Sequence, residues 1–211
     1  MKARSRNGEE RVNALLPERA HEQARLEYRP EWIERSRADS LFATLHRDID
    51  WEARTLKMFG RMIEQPRRIA FQGDDGVVYR YSNDDYYAAS WHPDVAALRD
   101  RLADDLGVTF NSVLLNLYRD GRDGMGWHAD DEPELGDRPV IASISLGAVR
   151  RFVLRSRSEP ARRIDLALSP GSLLLMAGDL QQSWQHQVPK TARPVGPRIN
   201  LTFRRVLRPP R

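Results

Sequence analysis

Residues 198–204 read RINLTFR, an unbroken alternation of polar and apolar side chains. On an extended strand, successive side chains point to opposite faces. Ile199, Leu201 and Phe203 therefore share one side, and Arg198, Asn200, Thr202 and Arg204 share the other. Such a strand lays its apolar face on a core and holds two guanidiniums, an amide and a hydroxyl in a row opposite. More strand-like text precedes it in VTFNSVLLNLY, VIASISLGAVRRFVLR and RIDLALSPGSLLLMAG, separated by the loop stretches RDGRDG, DEPELGDRP and QVPKTARPVGP. Helical text comes earlier. Asp39 is placed to cap a helix bearing Phe42, Leu45 and Ile49. In HPDVAALRDRLADDLG, Pro93 suits a first turn, Val95, Leu98, Leu102 and Leu106 form one stripe, and Gly107 ends it. Two early helices followed by a run of strands predict an α+β fold with helices packed outside a sheet sandwich.

At 211 residues the chain has room for one well-buried domain. Residues 1–30 are polar and lack a sustained apolar period, so they are expected to form a mobile N-terminal arm or a loosely docked segment, with 31–211 as the domain. There is no cysteine, which excludes disulfides, thiolate zinc sites and a cysteine nucleophile. No apolar run approaches the roughly 18–20 residues that cross a bilayer, and no apolar segment follows the basic N-terminus. A cytoplasmic protein without membrane association is expected. The net charge of +4 points only weakly to nucleic acid, although arginines gather at Arg67-Arg68, between Arg150 and Arg163, and in the last eight residues.

The chemistry lies in a few polar residues that alternate. In GWHADDEPELG, His128 and Asp130 point the same way if the segment is extended. Imidazole plus carboxylate suits Zn(II), Mn(II) or Fe(II). Alone, an H-x-D pair has an ordinary reading as part of an acidic surface loop. His186, 58 residues later in SWQHQV, completes two histidines and one carboxylate. That facial triad leaves positions open on iron, unlike a closed structural zinc site. The arginines of RINLTFR suit a small dicarboxylate, since each can grip a carboxylate through paired N–H donors. Asn116 and Tyr118 in LLNLYRDG again share a face. A zinc hydrolase fits less well, because Arg198 and Arg204 would lack a purpose and no G-x-S-x-G or H-E-x-x-H motif occurs.

Taken together, HAD (128–130), His186 and RINLTFR (198–204) resemble the AlkB family of iron(II)- and 2-oxoglutarate-dependent dioxygenases, whose pattern is H-x-D, a distant H, then R-x-N-x-x-x-R. The resemblance covers residues 39–206. It is strongest to the nucleic-acid-repairing eukaryotic homologues, through FNSVLLNLYRDG, WHADDEP and IASISLGAVRRFVLR. It implies a double-stranded β-helix (jelly roll) core with N-terminal outer helices. It implies Fe(II) on His128, Asp130 and His186, and 2-oxoglutarate among Asn116, Tyr118, Arg198, Asn200, Thr202 and Arg204. MIEQPRRIAFQGDDGVVYRYS, within about 55–85, is similar to the family's nucleotide-recognition segment. There Tyr79 and Tyr81 match nucleotide contacts, with Tyr81 stacking on a base opposite His128. Glu132 matches an acidic residue that reads the damaged base, and Asp131 falls in the stretch that touches substrate. MFG (58–60) is similar to an apolar finger that one relative uses on duplex DNA, which makes Phe59, Gly60 and Arg61 candidate contacts. The implied reaction uses O2 and demethylates 1-methyladenine and 3-methylcytosine in DNA, single- or double-stranded, with RNA left open. It releases formaldehyde, succinate and CO2, and a monomer is expected. The rival readings are the same chemistry on transfer RNA or protein, and a non-catalytic nucleic-acid-binding module.

Overall fold

The computed structural model describes residues 12–13, 24–58, 61–81 and 84–207. In chain order, strands β1 (Val12–Asn13) and β2 (Arg25–Arg29) precede helix α1 (Arg35–Asp48). Two hairpins follow, β3 (Glu52–Met58) with β4 (Arg61–Gly73) and β5 (Val78–Tyr81) with β6 (Asp84–Tyr87), and then helix α2 (Pro93–Leu106). The second half holds β7 (Ser112–Tyr118), β8 (Met125–His128), β9 (Ile141–Gly147), β10 (Arg150–Ser156) and β11 (Arg163–Leu168). It closes with β12 (Leu173–Ala177), the short helix α3 (Leu180–Ser183), β13 (Trp184–Val188) and β14 (Arg198–Arg204).

Among the described residues the strands form a large sheet ordered β1-β2-β12-β9-β14-β7-β4-β3, a small sheet ordered β11-β10-β13-β8, and the separate β5-β6 pair. Every pairing inside these sheets is antiparallel. Antiparallel strands in two facing sheets give the jelly roll that the sequence leads one to expect.

β14 lies in the middle of the large sheet, with Asn200 opposite Asn116 of β7 and Ser145 of β9. Both of its faces are buried, which excludes a solvent-facing row of arginines. Ile199, Leu201 and Phe203 join Val113, Leu115 and Leu117 of β7 and Ala142, Ile144 and Leu146 of β9 under the helices, which contribute Leu41, Leu45, Val95, Leu98 and Leu102. The opposite face looks across to the small sheet. A second apolar cluster there includes Phe152, Leu154, Leu174, Met176 and Trp184. Helices on one side and a second sheet on the other confine the polar row of β14 to the interior.

Two expectations need correction. The N-terminal arm does not extend to residue 30, because Arg25–Arg29 pair with β12 as a strand of the large sheet. This stretch is short and mostly charged, so its period is hard to read. Its buried carboxylate, Glu27, is held by Arg25 at 2.5 Å and Arg29 at 2.7 Å. Helix α1 is capped not by Asp39 but by Glu34, whose side chain accepts from the N–H groups of Ser36 and Arg37. Asp39 lies one turn inside and pairs with Arg35. α2 begins with Pro93 and ends at a left-handed Gly107 (φ 66°), as expected.

Gly171 ties α1 to the sheet. It has φ +79°, its carbonyl accepts the Ile33 N–H at 2.8 Å, and a Cβ there would overlap the Ile33 carbonyl oxygen. Gly76 has a similar φ of +76° with open space around it. Gly76→Ala should cost only the left-handed backbone penalty, about 1–2 kcal/mol. Gly171→Ala should cost at least about twice that in urea denaturation, because a backbone clash is added.

Candidate metal centre

β8 and β13 place His128 directly opposite His186, with ring centroids 4.2 Å apart. Phe152 on β10 lies nearly parallel to the His186 ring at 5.2 Å and walls it from the interior. The strand stops at His128, so the assumed continuous extension through Asp130 and Glu132 is not what brings the carboxylate in. Asp130 is aimed by its contacts instead. Its N–H donates to Gln181 Oε1 of α3 at 3.0 Å, and its Oδ2 accepts from Arg204 Nη2 at 2.7 Å. That leaves Oδ1 facing both histidines, 3.7 Å from His128 Nε2 and 3.9 Å from His186 Nε2. His128 Nδ1 lies 2.8 Å from the Gly126 carbonyl, so Nδ1 carries the proton and Nε2 is left with its lone pair.

Electrostatics prepare the same three atoms. Burial, reinforced by the neighbouring His128, pushes His186 down to about 3, and burial also lowers His128. Both rings are thus neutral ligands at physiological pH. Burial alone would raise Asp130, but Arg204 and the two imidazoles outweigh it and hold the carboxyl below the usual range. One ligand atom from each of the three residues lies within 4.8 Å of the others.

The polar row of β14 continues the site. Arg204 pairs with Asp130 and lies 5.4 Å from the Tyr79 ring centroid. Asn200 donates to Ser143 Oγ, and Thr202 donates to Asn200 Oδ1. Asn116 accepts from Arg67 Nε at 2.8 Å. Arg204, Asn200, Thr202, Ser143, Asn116 and Arg67 line one cavity together with His128, Asp130, His186 and Tyr118. Arg198 is buried beside the Tyr118 ring, 5.3 Å from its centroid. Its Nη2 donates to Ser145 Oγ, while its Nε and Nη1 have no hydrogen-bond partner among the described residues. Burial lowers this guanidinium to about 10, with the cationic Arg150 adding to the effect.

A family profile described as the 2OG-Fe(II) oxygenase superfamily matches residues 25–204. The chain belongs to that superfamily. Within it, the chain is similar to AlkB homologues. The chain is 40% identical over 191 residues to the alpha-ketoglutarate-dependent dioxygenase alkB homolog 3 of Bos taurus, covering 86% of this chain and 66% of that protein. It is 38% identical over 183 residues to the DNA oxidative demethylase ALKBH2 of Mus musculus, covering 82% of this chain and 77% of that one. The chain thus spans just under two thirds of the length of the first of these. The solved structure of OsALKBH1 superposes with a TM-score of 0.60 at 16% identity over 85% of this chain and 97% of that one, a likeness of fold.

The superfamily's cofactors are Fe(II) and 2-oxoglutarate, with O2 as co-substrate, and the residues present fit them. Two neutral imidazoles and one carboxylate suit Fe(II). A buried guanidinium with two unused donors, next to a second buried cation, fits a carboxylate of the co-substrate. Arg150 does not compete for it, since its own donors go to the carbonyls of Asp120, Asp123 and Pro189.

The expected substrate contacts are less uniformly placed. The Tyr79 ring is committed to the core, 5.8 Å from Phe71, with its phenol near the Glu132 carboxyl. Burial, together with Asp130, raises Glu132. Asp131 is exposed and bonded to Arg157 at 2.6 Å. Phe59 and Gly60 lie outside the described residues, and for Arg61 and Tyr81 only the backbone is described. Several supporting residues were not anticipated. Ser143 and Ser145 had a signal, since they alternate with apolar residues in IASISL. Arg67 and Arg150 stood out only as members of arginine clusters, with nothing to place them at the site, and Gln181 had no signal.

Removing one member of a buried ion pair leaves the other uncompensated. Arg204→Met should therefore cost about 3–5 kcal/mol in the metal-free protein. Adding Asp130→Leu should recover most of that loss in the same denaturation experiment.

Proposed function

We propose that the chain is an oxidative demethylase of alkylated nucleic acid. The observation that carries this is the buried His128–Asp130–His186 cluster beside the unpaired donors of Arg198, in a chain 38% identical to a protein named for DNA oxidative demethylation. The favoured substrates are 1-methyladenine and 3-methylcytosine in DNA, with RNA as a second class.

Held at the cluster, iron and 2-oxoglutarate would supply the oxidation of an N-methyl group by O2, with succinate, CO2 and formaldehyde as products. The chain's own residues set this up. Arg198 would hold the far carboxylate of the co-substrate, and Asn116, Tyr118, Asn200 and Thr202 would supply polar groups from the cavity lining. Arg204 keeps Asp130 ionised and turned toward the two histidines. Phe152 and Met176 line the cavity with apolar surface and limit water. Glu132 faces the incoming base, its carboxyl positioned by Tyr79. On β4, Met62 and Ile63 stand exposed close to the Met58–Arg61 pair, which supports an apolar surface able to press into a base stack.

The test is incubation with Fe(II), ascorbate and 2-oxoglutarate on matched single- and double-stranded oligonucleotides carrying 1-methyladenine, read by mass spectrometry. Loss of one methyl group is expected, absent without 2-oxoglutarate and in His128→Ala. If succinate forms while the oligonucleotides stay methylated, the substrate assignment is wrong. Glu132→Ala should lower kcat/KM for demethylation by roughly 10- to 100-fold, the scale of a charged hydrogen bond. Uncoupled 2-oxoglutarate consumption should change much less. Equal losses in the two assays would remove Glu132 from substrate recognition.

A further inference from the structure

Strand β4 is bulged where it reaches the cavity. Thr55 of β3 pairs with Glu64 and Ala53 pairs with Arg68, so Gln65, Pro66 and Arg67 together face the single residue Arg54. A bulge re-aims side chains and is common beside functional sites. Pro66 has no N–H to leave unpaired, and its carbonyl accepts from Gly124 N–H at 3.0 Å. The residues on either side of it are both turned inward: Gln65 is 2% exposed and Arg67 4%. Arg67 has its partner in Asn116 and lines the cavity of the metal cluster. Gln65 has none. Neither its Oε1 nor its Nε2 meets a hydrogen-bond partner among the described residues.

Buried polar groups are almost always paired, so each exception calls for a cause. The other exceptions include Trp51 Nε1 and Ser172 Oγ away from the cavity, Arg198, which suits the co-substrate carboxylate, and Glu132 Oε2, which suits the base. Gln65 has the same signature two residues along the strand from a cavity-lining residue, and among the described residues it alone leaves an amide N–H group and an amide carbonyl oxygen of one side chain unused. A phosphate would take the amide N–H groups and leave Oε1 stranded. A nucleobase edge offers a donor beside an acceptor and satisfies both.

Building on the proposed nucleic-acid substrate, we propose that Gln65 is a specificity-determining contact that reads the polar edge of the base brought into the cavity. The carboxamide is kept unpaired at some expense of stability, so that the base completes it.

The experiment compares wild type, Gln65→Leu and Gln65→Glu, all loaded with Mn(II), for affinity to an oligonucleotide carrying 1-methyladenine and to the same oligonucleotide with an abasic position there. Gln65→Leu should melt at or above the wild-type temperature, bind the methylated strand on the order of tenfold more weakly, and bind the abasic strand as wild type does. Its KM for 2-oxoglutarate should be unchanged. Gln65→Glu, which keeps the acceptor and loses the donor, should also weaken binding to the methylated strand and serves if the leucine variant folds poorly. Unchanged affinity in both variants, an equal loss on the abasic strand, or a rise in the 2-oxoglutarate KM would overturn the assignment. Wild type that binds no alkylated oligonucleotide would remove the proposed function and this contact with it.

Discussion

Arg204 and Asp130 meet across the space between the two sheets, and the site is organised around that contact. Arg204 comes from the central strand of the large sheet, and Asp130 from the segment that leaves the edge of the small one. The pair therefore fixes the spacing of the layers as well as the state of one carboxylate. By occupying Oδ2 it leaves Oδ1 to the histidines. Tyr79, from the separate two-stranded sheet, packs against the same guanidinium and reaches Glu132. Three sheets thus converge on a single cation.

The interior is short of negative charge. Arg67, Arg150, Arg198 and Arg204 are all buried around the cavity, while of the nearby carboxyls Asp123 pairs with Arg119, Asp130 with Arg204, and Glu132 is half-buried. Arg204 is satisfied by Asp130, Arg67 by Asn116 and Arg150 by three carbonyls. Arg198 is not, and that imbalance favours an anionic small molecule held next to a divalent cation. A closed zinc site or a purely structural ion pair would leave the Arg198 guanidinium unexplained.

Strand parity made much of this legible in the sequence. Because side chains alternate at a period of two, RINLTFR alone separates the residues that pack under the helices from those that face the cavity. The same parity sorts Asn116 and Tyr118 from Leu115 and Leu117. What could not be read is what breaks the period. Asp130 lies past the end of its strand and is aimed by Gln181 and Arg204, contacts 51 and 74 residues away in sequence. Arg67 reaches the cavity from a bulge in β4, and Gln65 is buried two residues before it. β2 is short and carries its own ion pairs, so it looks like a solvated arm. Helix α1 shows a local ambiguity: Glu34 and Asp39 both have capping side chains, and only packing decides which one stands at the end.

The central claim is that one interior face holds the metal and the dicarboxylate side by side. Calorimetric titration of 2-oxoglutarate into the protein, with and without Mn(II), tests it most directly. The expected result is binding that is much tighter in the presence of the metal and is lost in Arg198→Met. Binding of equal strength without metal, or binding that survives Arg198→Met unchanged, would contradict it.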